Sequence, residues 1–371
     1  QSRAKENRFN LPFVLTIDQE GGQLTAIHKG TTMFPGNMAL GFANDENMAY
    51  EQGEHVGKEL KYAGIDICYA PVLDVSYDRV NHVPVVDNRM YSSNPEIVAS
   101  MGVRYIEGLQ KEGVLACAKH FPGMRITQED THFEMDIHPG DMKRLKNVEL
   151  LPFQKAIDQG LRCIMMHHGI FKALDPEYPA SLSKKAIDYL RKDMGFEGLV
   201  ITDDLVMKAI MDQYGEKEAL ILALNAGCDL LISTCAGPWY VDFIEECVKN
   251  GQIPEERINK ACMRILQYKE KYKVGFIPVE KTWDKEKGDQ LAYRIAKKSL
   301  IYHKNDKEIF PIQLEPKQKL GIIMGNPARL VMSDAINLYD NLSIEATIKK
   351  YKYHQNIKET IMPWNPTYME M

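Results

Sequence analysis

At 371 residues, 44% of them hydrophobic, the chain is long enough for one large α/β barrel or for two domains, with a substantial core in either case. Lys plus Arg number 46 against 51 Asp plus Glu, a net charge of −5 with no basic stripe, so nucleic acid is not an expected partner. No run reaches the roughly 18 consecutive apolar residues of a membrane span, and Gln1 to Asn10 is polar, with no secretory apolar segment. In chain order, Phe13 to Ile17 is a β-rich run that ends at Asp18-Gln19-Glu20-Gly21-Gly22, where the Gly pair calls for a turn. Asn47 to Tyr62 has helical spacing through Met48, Val56 and Leu60 and stops at Gly64; Ile65 to Val72 then reads as a buried strand ending near Asp74. Asn94-Pro95 is an N-cap followed by Pro at the first helical position, and that helix runs through Ile97, Met101, Tyr105 and Leu109 to Gly113.

The apolar run from Gly113 to Ala118 ends abruptly in Lys119-His120 and then Pro122-Gly123, a buried strand with two basic side chains expected at the rim of a site. A helix around Val148 to Gln159, a strand Cys163 to Met166, a helix capped by Ser183 and running to Met194, and a strand Leu199 to Thr202 continue the alternation. Leu230 to Ile232 is a further strand, with helices at Lys217 to Asn225, Tyr240 to Lys249 and Glu255 to Lys271. Each strand ends in polar residues: His167-His168, Asp203-Asp204, Ser233-Thr234. Six strand candidates of this kind between residues 13 and 232 favour a TIM-like (β/α)8 barrel over a doubly wound sheet. The composition changes after Tyr272, so residues 1–275 are assigned to the barrel and 276–371 to a linker and the beginning of a second α/β domain. That part holds a helix from Asp284 to Lys298, a strand from Lys319 to Met324, and a tail from Tyr351 expected to be loosely ordered.

The seven cysteines are odd in number and form no C-x-x-C pair, and most lie in apolar segments. They read as reduced core thiols, not zinc ligands or disulfides. A cytoplasmic location follows, or a periplasmic one if a signal peptide has been removed. Among candidate site residues, Asp130-Thr131-His132 places a carboxylate two positions from an imidazole, where it can fix the tautomer and raise the basicity of the ring. Asp203, at a strand end before a helix, reads either as a carboxylate facing the barrel mouth or as an N-cap. Asp18 is a turn aspartate at a strand end, and His168 a histidine at another.

Lys119-His120-Phe121-Pro122-Gly123 and, in ungapped register, Asp130-Thr131-His132 resemble the K-H-F-P-G-H-G-x-x-x-x-D-S-H signature of bacterial glycoside hydrolase family 3 β-N-acetylglucosaminidases. Thr131 replaces Ser, and Met124-Arg125 stand where that family carries His and Gly. Thr202-Asp203-Asp204-Leu205-Val206-Met207 is similar to the family's nucleophile motif, Asp87-Asn88-Arg89-Met90-Tyr91 to its D-x-R-x-[FY] segment, and Asp18 to its sugar-binding aspartate. Relative to the family the front is short by one strand and helix, so a barrel that lacks its first strand or closes with fewer is expected.

The resemblance implies a retaining glycosidase that removes terminal β-linked N-acetylglucosamine, from cell-wall muropeptides or related glycans. It implies Asp203 as nucleophile and His132, oriented by Asp130, as acid/base, with Asp18, Arg89, Lys119, His120, His168 and Met207 around the sugar. Two-step hydrolysis of this kind needs no metal or organic cofactor. A family 3 β-glucosidase-type exo-glycosidase, or a sugar-binding homologue of weak catalytic power, is the alternative. The sequence leaves the oligomeric state open.

Overall fold

The computed structural model describes residues 11–76, 88–124, 135–274, 283–301, 312–315, 317–325, 348–349 and 357–362. The chain begins with β1 (Thr16–Ile17), a hairpin of β2 (Gln19–Gly21) and β3 (Leu24–Thr25), then α1 (Asn37–Ala43), α2 (Glu46–Ala63) and β4 (Ile67–Cys68). It continues through α3 (Pro95–Lys111), β5 (Leu115–Phe121), β6 (Ile137–His138), α4 (Met142–Asn147), α5 (Leu150–Asp158), β7 (Cys163–Met166) and β8 (Ile170–Phe171). Next come α6 (Lys184–Lys192), β9 (Leu199–Asp204), α7 (Lys208–Met211), α8 (Gly215–Ala226), β10 (Leu230–Ile232), α9 (Trp239–Lys249) and α10 (Glu255–Tyr272). After these follow α11 (Lys285–Lys298), β11 (Leu320–Gly325) and β12 (Ile357–Met362). Helix starts follow the local chemistry: the Asn94 side chain accepts from Glu96 N ahead of Pro95, and the Ser183 hydroxyl accepts from Ala186 N.

The six strands expected from the sequence pair in parallel in the order β1-β4-β5-β7-β9-β10, a curled sheet with helices on its outer face. Among the described residues this is six strands, not the eight of a closed barrel, and no ladder joins β10 to β1. Alternation along the strands sorts side chains into two layers. Ala116, Ala118, Ile164, Met166 and Val200 pack outward with Val98, Met101 and Tyr105 of α3 and Phe153 of α5. Leu115, Cys117, Cys163, Met165, Leu199 and Ile201 form the inner cluster, closed below by Val274 and by Ile265, Tyr268 and Tyr272. Cys117, Cys163 and Leu199 lie in one row and Phe121, Met166 and Thr202 in another, so His167 and Asp203, one residue further on, come level. Continuing the alternation past Cys117, Met165 and Ile201 puts Lys119, His167 and Asp203 on the inner face.

Several expectations are corrected. β5 does not end at Ala118 but runs to Phe121, so Lys119 and His120 are inside the strand, 3% and 4% exposed, not at a solvated rim. The ladder to β7 continues to Phe121↔Met166, and carboxylates described below satisfy the two basic side chains. The expected helix from Val148 to Gln159 is α5, with Pro152 in its first turn, and an additional short helix, α4, precedes it, its start capped by the Asp141 carboxylate accepting from Arg144 N. Residues 357–362, in the tail expected to be loose, form β12, parallel to β11. Cys235 and Cys262 are exposed, whereas the other five thiols are buried. The helix α11 packs against α1 and α2, burying Leu291 and Ile295 and pairing Arg294 with Glu51 and Lys298 with Asp45.

Helices α2 and α3 approach through glycines. A Cβ on Gly108 would stand 2.3 Å from the Tyr50 carbonyl oxygen, and one on Gly53 would stand 2.2 Å from that of Tyr105. Alanine at Gly108 gains about 0.5–1 kcal/mol of helix propensity, but the overlap is with backbone and forces the helices apart, at a cost of about 1–3 kcal/mol. Gly108→Ala should therefore lower the unfolding free energy by about 1–2 kcal/mol in urea titration, the overlap outweighing the propensity; equal or greater stability would mean the helix pair yields without strain.

Candidate active site

β1 ends at Ile17 and delivers Asp18 to the mouth of the sheet, and β2 brings Glu20 beside it. Glu20 is 2% exposed and receives two hydrogen bonds from Arg89, Nε to Oε2 at 2.9 Å and Nη2 to Oε1 at 2.8 Å. Lys119 Nζ lies 2.6 Å from Glu20 Oε1 and 2.6 Å from Asp18 Oδ1. Burial, the largest influence on Glu20, would raise its pKa, but Arg89 and Lys119 together hold it down to about 2. The same carboxylates keep Arg89 and Lys119 firmly protonated against the cost of their own burial. The Asp18 side chain is 49% exposed, so it is the carboxylate of this cluster that opens to solvent.

Asp74, fully buried below, organises the end of β5. Its Oδ1 accepts from the backbone N–H of His120 at 3.1 Å and of Met124 at 2.7 Å, and its Oδ2 lies 2.7 Å from His120 Nδ1. Burial would raise its pKa, yet His120 holds it below the usual carboxylate range. The other ring nitrogen, Nε2, lies 3.5 Å from Arg89 Nη2. Gly123 then leaves the strand at φ +136°, where a Cβ would stand 2.8 Å from the Glu149 Cβ; only glycine fits. Asp130, His132 and Arg125 lie outside the described residues, but the segment holding them departs from Met124, anchored on Asp74, and returns at Asp136, whose carbonyl accepts from Ile170 N at 2.8 Å.

On β9 the two aspartates divide. Asp204 Oδ1 accepts from Val206 N and Thr234 N, each at 3.2 Å, and its carbonyl accepts from Met207 N at 3.0 Å. Among the described residues Asp203 accepts through Oδ1, from Asp204 N at 2.8 Å. Burial pushes the Asp203 pKa up, but its neighbours His120, His168 and Lys119 and the Asp204 N–H hold it well below the usual carboxylate range. It is an ionised, half-buried carboxylate at the end of an inner-face strand. Met207 is buried at the start of α7.

The histidine pair divides in the same way. His168, named from the sequence as a sugar contact, is committed inward: Nδ1 lies 2.7 Å from the Ser181 hydroxyl, and Nε2 lies 2.9 Å from the Asp204 carbonyl, to which it donates. Both its nitrogens are used, so it supports the β9 backbone instead of offering a ring to the mouth. Its neighbour His167 has Nδ1 accepting from Gly169 N at 2.9 Å, while Nε2 is buried with no hydrogen-bond partner among the described residues. Burial first, and then the field of His120, push the His167 pKa down to about 3 against the pull of Asp74 and Asp203. Sequence reasoning passed over Glu20, Asp74 and His167.

The mouth thus combines an ionised Asp203 with buried donors and acceptors, Lys119, His120 and Arg89, and the open carboxylate of Asp18, an arrangement fit to hold hydroxyl groups and to attack an electrophilic carbon. The sequence profile of the glycosyl hydrolase family 3 N-terminal domain matches residues 1–268, and the chain belongs to glycosyl hydrolase family 3. A beta-hexosaminidase of Nitrosomonas eutropha is 35% identical over 228 residues, covering 60% of this chain and 64% of the relative. One from Neisseria meningitidis serogroup C is 31% identical over 263 residues, covering 69% and 70%. Among solved structures, a glycoside hydrolase family 3 beta-N-acetylglucosaminidase from Paenibacillus sp. str. FPU-7 aligns with a TM-score of 0.84 at 32% identity, over 98% of this chain and 69% of that one. The chain therefore spans about two thirds of the length of these relatives.

The shifted groups make the fold acid-labile. Glu20 is lowered from 4.5 to about 2, so its contribution is complete above pH 4.5 and is lost as pH falls towards 2. His167 is lowered from 6.5 to about 3, so below pH 6.5 the unfolded chain takes up a proton that the native state refuses, and stability declines towards pH 3. His168, lowered by its burial, acts in the same sense. Unfolding free energy should fall between pH 7 and 4, and His167→Asn should remove part of that slope, on the order of 1 kcal/mol per pH unit; an unchanged slope in the variant would contradict the assignment.

Proposed function

We propose that the chain is a retaining exo-glycosidase that removes terminal β-linked N-acetylglucosamine. The observation that carries the reading is the ionised Asp203, with a single hydrogen bond among the described residues, beside the Lys119–His120 strand end, in a chain of family 3 with relatives named beta-hexosaminidase. Asp18, Arg89, Lys119 and His120 hold the sugar hydroxyls, and Met207 forms an apolar wall. In the first step an Asp203 oxygen bonds to C1 as the glycosidic C–O bond breaks, and the leaving oxygen takes the proton of His132. In the second, His132 takes a proton from water, the hydroxide oxygen bonds to C1, and Asp203 leaves. Two inversions give net retention. Asp130 orients the imidazole and stabilises its protonated form.

Muropeptides or related cell-wall glycans are the substrate class of this reading. A cytoplasmic setting goes with it, supported by seven free thiols of which two are exposed. The parent should release nitrophenol from the 4-nitrophenyl β-N-acetylglucosaminide in clear preference to the β-glucoside, and Asp203→Ala should lower kcat by about a thousandfold or more. Preference for the β-glucoside would make the chain a β-glucosidase, and sugar binding without turnover would make it a binding homologue.

A further inference from the structure

The ring of His167 is placed and protonated for a bond that the described residues do not supply. Because Nδ1 accepts from the Gly169 N–H at 2.9 Å, the hydrogen of the neutral ring is on Nε2. Nε2 is nevertheless buried and without a partner among the described residues, on a residue 1% exposed. Leaving a buried donor unmet costs about 1–3 kcal/mol, and folded proteins seldom carry that cost without a use.

Its position indicates the acceptor. β7 lies between β5, which holds Lys119 and His120, and β9, which holds Asp203. The residue pairs Met166↔Thr202 and Phe121↔Met166 bring His167 level with Asp203, on the same inner face, and its ring centroid is 6.2 Å from that of His120. On the glycosidase reading, a sugar with C1 at Asp203 and its distal hydroxyls at Asp18, Lys119 and Arg89 spans β7, and the substituent next to C1 is the one on C2. We propose that His167 donates from Nε2 to the oxygen of the C2 substituent, which in an N-acetylglucosaminide is the amide carbonyl, and so helps select that sugar over glucose. This rests on the glycosidase reading above. A ring held neutral, with its pKa near 3, keeps the donor in place across the neutral range and adds no positive charge beside Asp203.

Two variants separate this role from a structural one. In His167→Asn the side-chain carbonyl reproduces the Nδ1 acceptor for Gly169 but nothing occupies Nε2; in His167→Gln the amide reaches the Nε2 position and the bond to Gly169 is lost. Kinetics on the 4-nitrophenyl β-N-acetylglucosaminide and β-glucoside, with calorimetric binding of free N-acetylglucosamine, are measured for the parent and both variants of the full chain. The expected result is a loss of about tenfold or more in kcat/KM and in sugar affinity for the Asn variant on the acetamido sugar. The β-glucoside rate should be much less affected, and Gln should restore part of the loss. Loss in Gln with Asn unaffected would make His167 a support of the Gly169 turn, and equal loss on both sugars would remove the C2 assignment; either overturns the proposal alone. A parent that neither binds nor cleaves the acetamido sugar overturns the glycosidase reading, and this inference with it.

Discussion

Glu20, Arg89 and Lys119 bring three charges out of water within one hydrogen-bonded unit, and the desolvation that each suffers is offset only if all three keep their positions. Neutralising Glu20 would leave a guanidinium and an ammonium buried side by side, the kind of change that costs several kcal/mol. This constraint ties β1 and its hairpin to β5 and to the segment before α3, elements far apart in the chain. It also fixes where Lys119 ends, hence how Asp18 faces the mouth, and places one of the groups, after His120 and His168, that lower the Asp203 pKa. On the proposed function, sugar recognition needs little rearrangement, because these donors and acceptors are held by one another before a ligand arrives.

A second regularity is the division of labour within adjacent like residues. In His167-His168 and Asp203-Asp204 the side chains leave the strand in opposite directions. His168 and Asp204 are joined to each other, ring to carbonyl, and brace the turn after β9; His167 and Asp203 stand level on the inner face. A slip of one residue in either strand would exchange bracing and chemical residues, so the inner apolar cluster that sets the register also sets which aspartate can react.

Much of the fold was legible because its signals are local. The Asn94-Pro95 and Ser183 caps, the Gly64 stop and the six apolar runs with polar ends each report the conformation of their own residues. Asp203 was legible for the same reason, as a carboxylate at a strand end. Glu20 and Asp74 were not: each matters through partners about 50 to 100 positions away, Glu20 with Lys119 and Asp74 with His120, and no spacing rule selects them. His168 was readable either as a hydrogen-bonded histidine at the barrel mouth or as a substrate contact, and only its Ser181 and Asp204 partners decide between the two.

The central claim is that Asp203, not Asp204, is the carboxylate poised to bond to the anomeric carbon. The direct measurement is to trap the glycosyl-enzyme with an activated fluorinated N-acetylglucosaminyl donor and locate the added sugar by peptide mass spectrometry. A single label on Asp203, discharged on prolonged incubation as activity returns, is the expected result. Labelling of Asp204, or a fully active enzyme that carries no label while the donor is consumed, would contradict it.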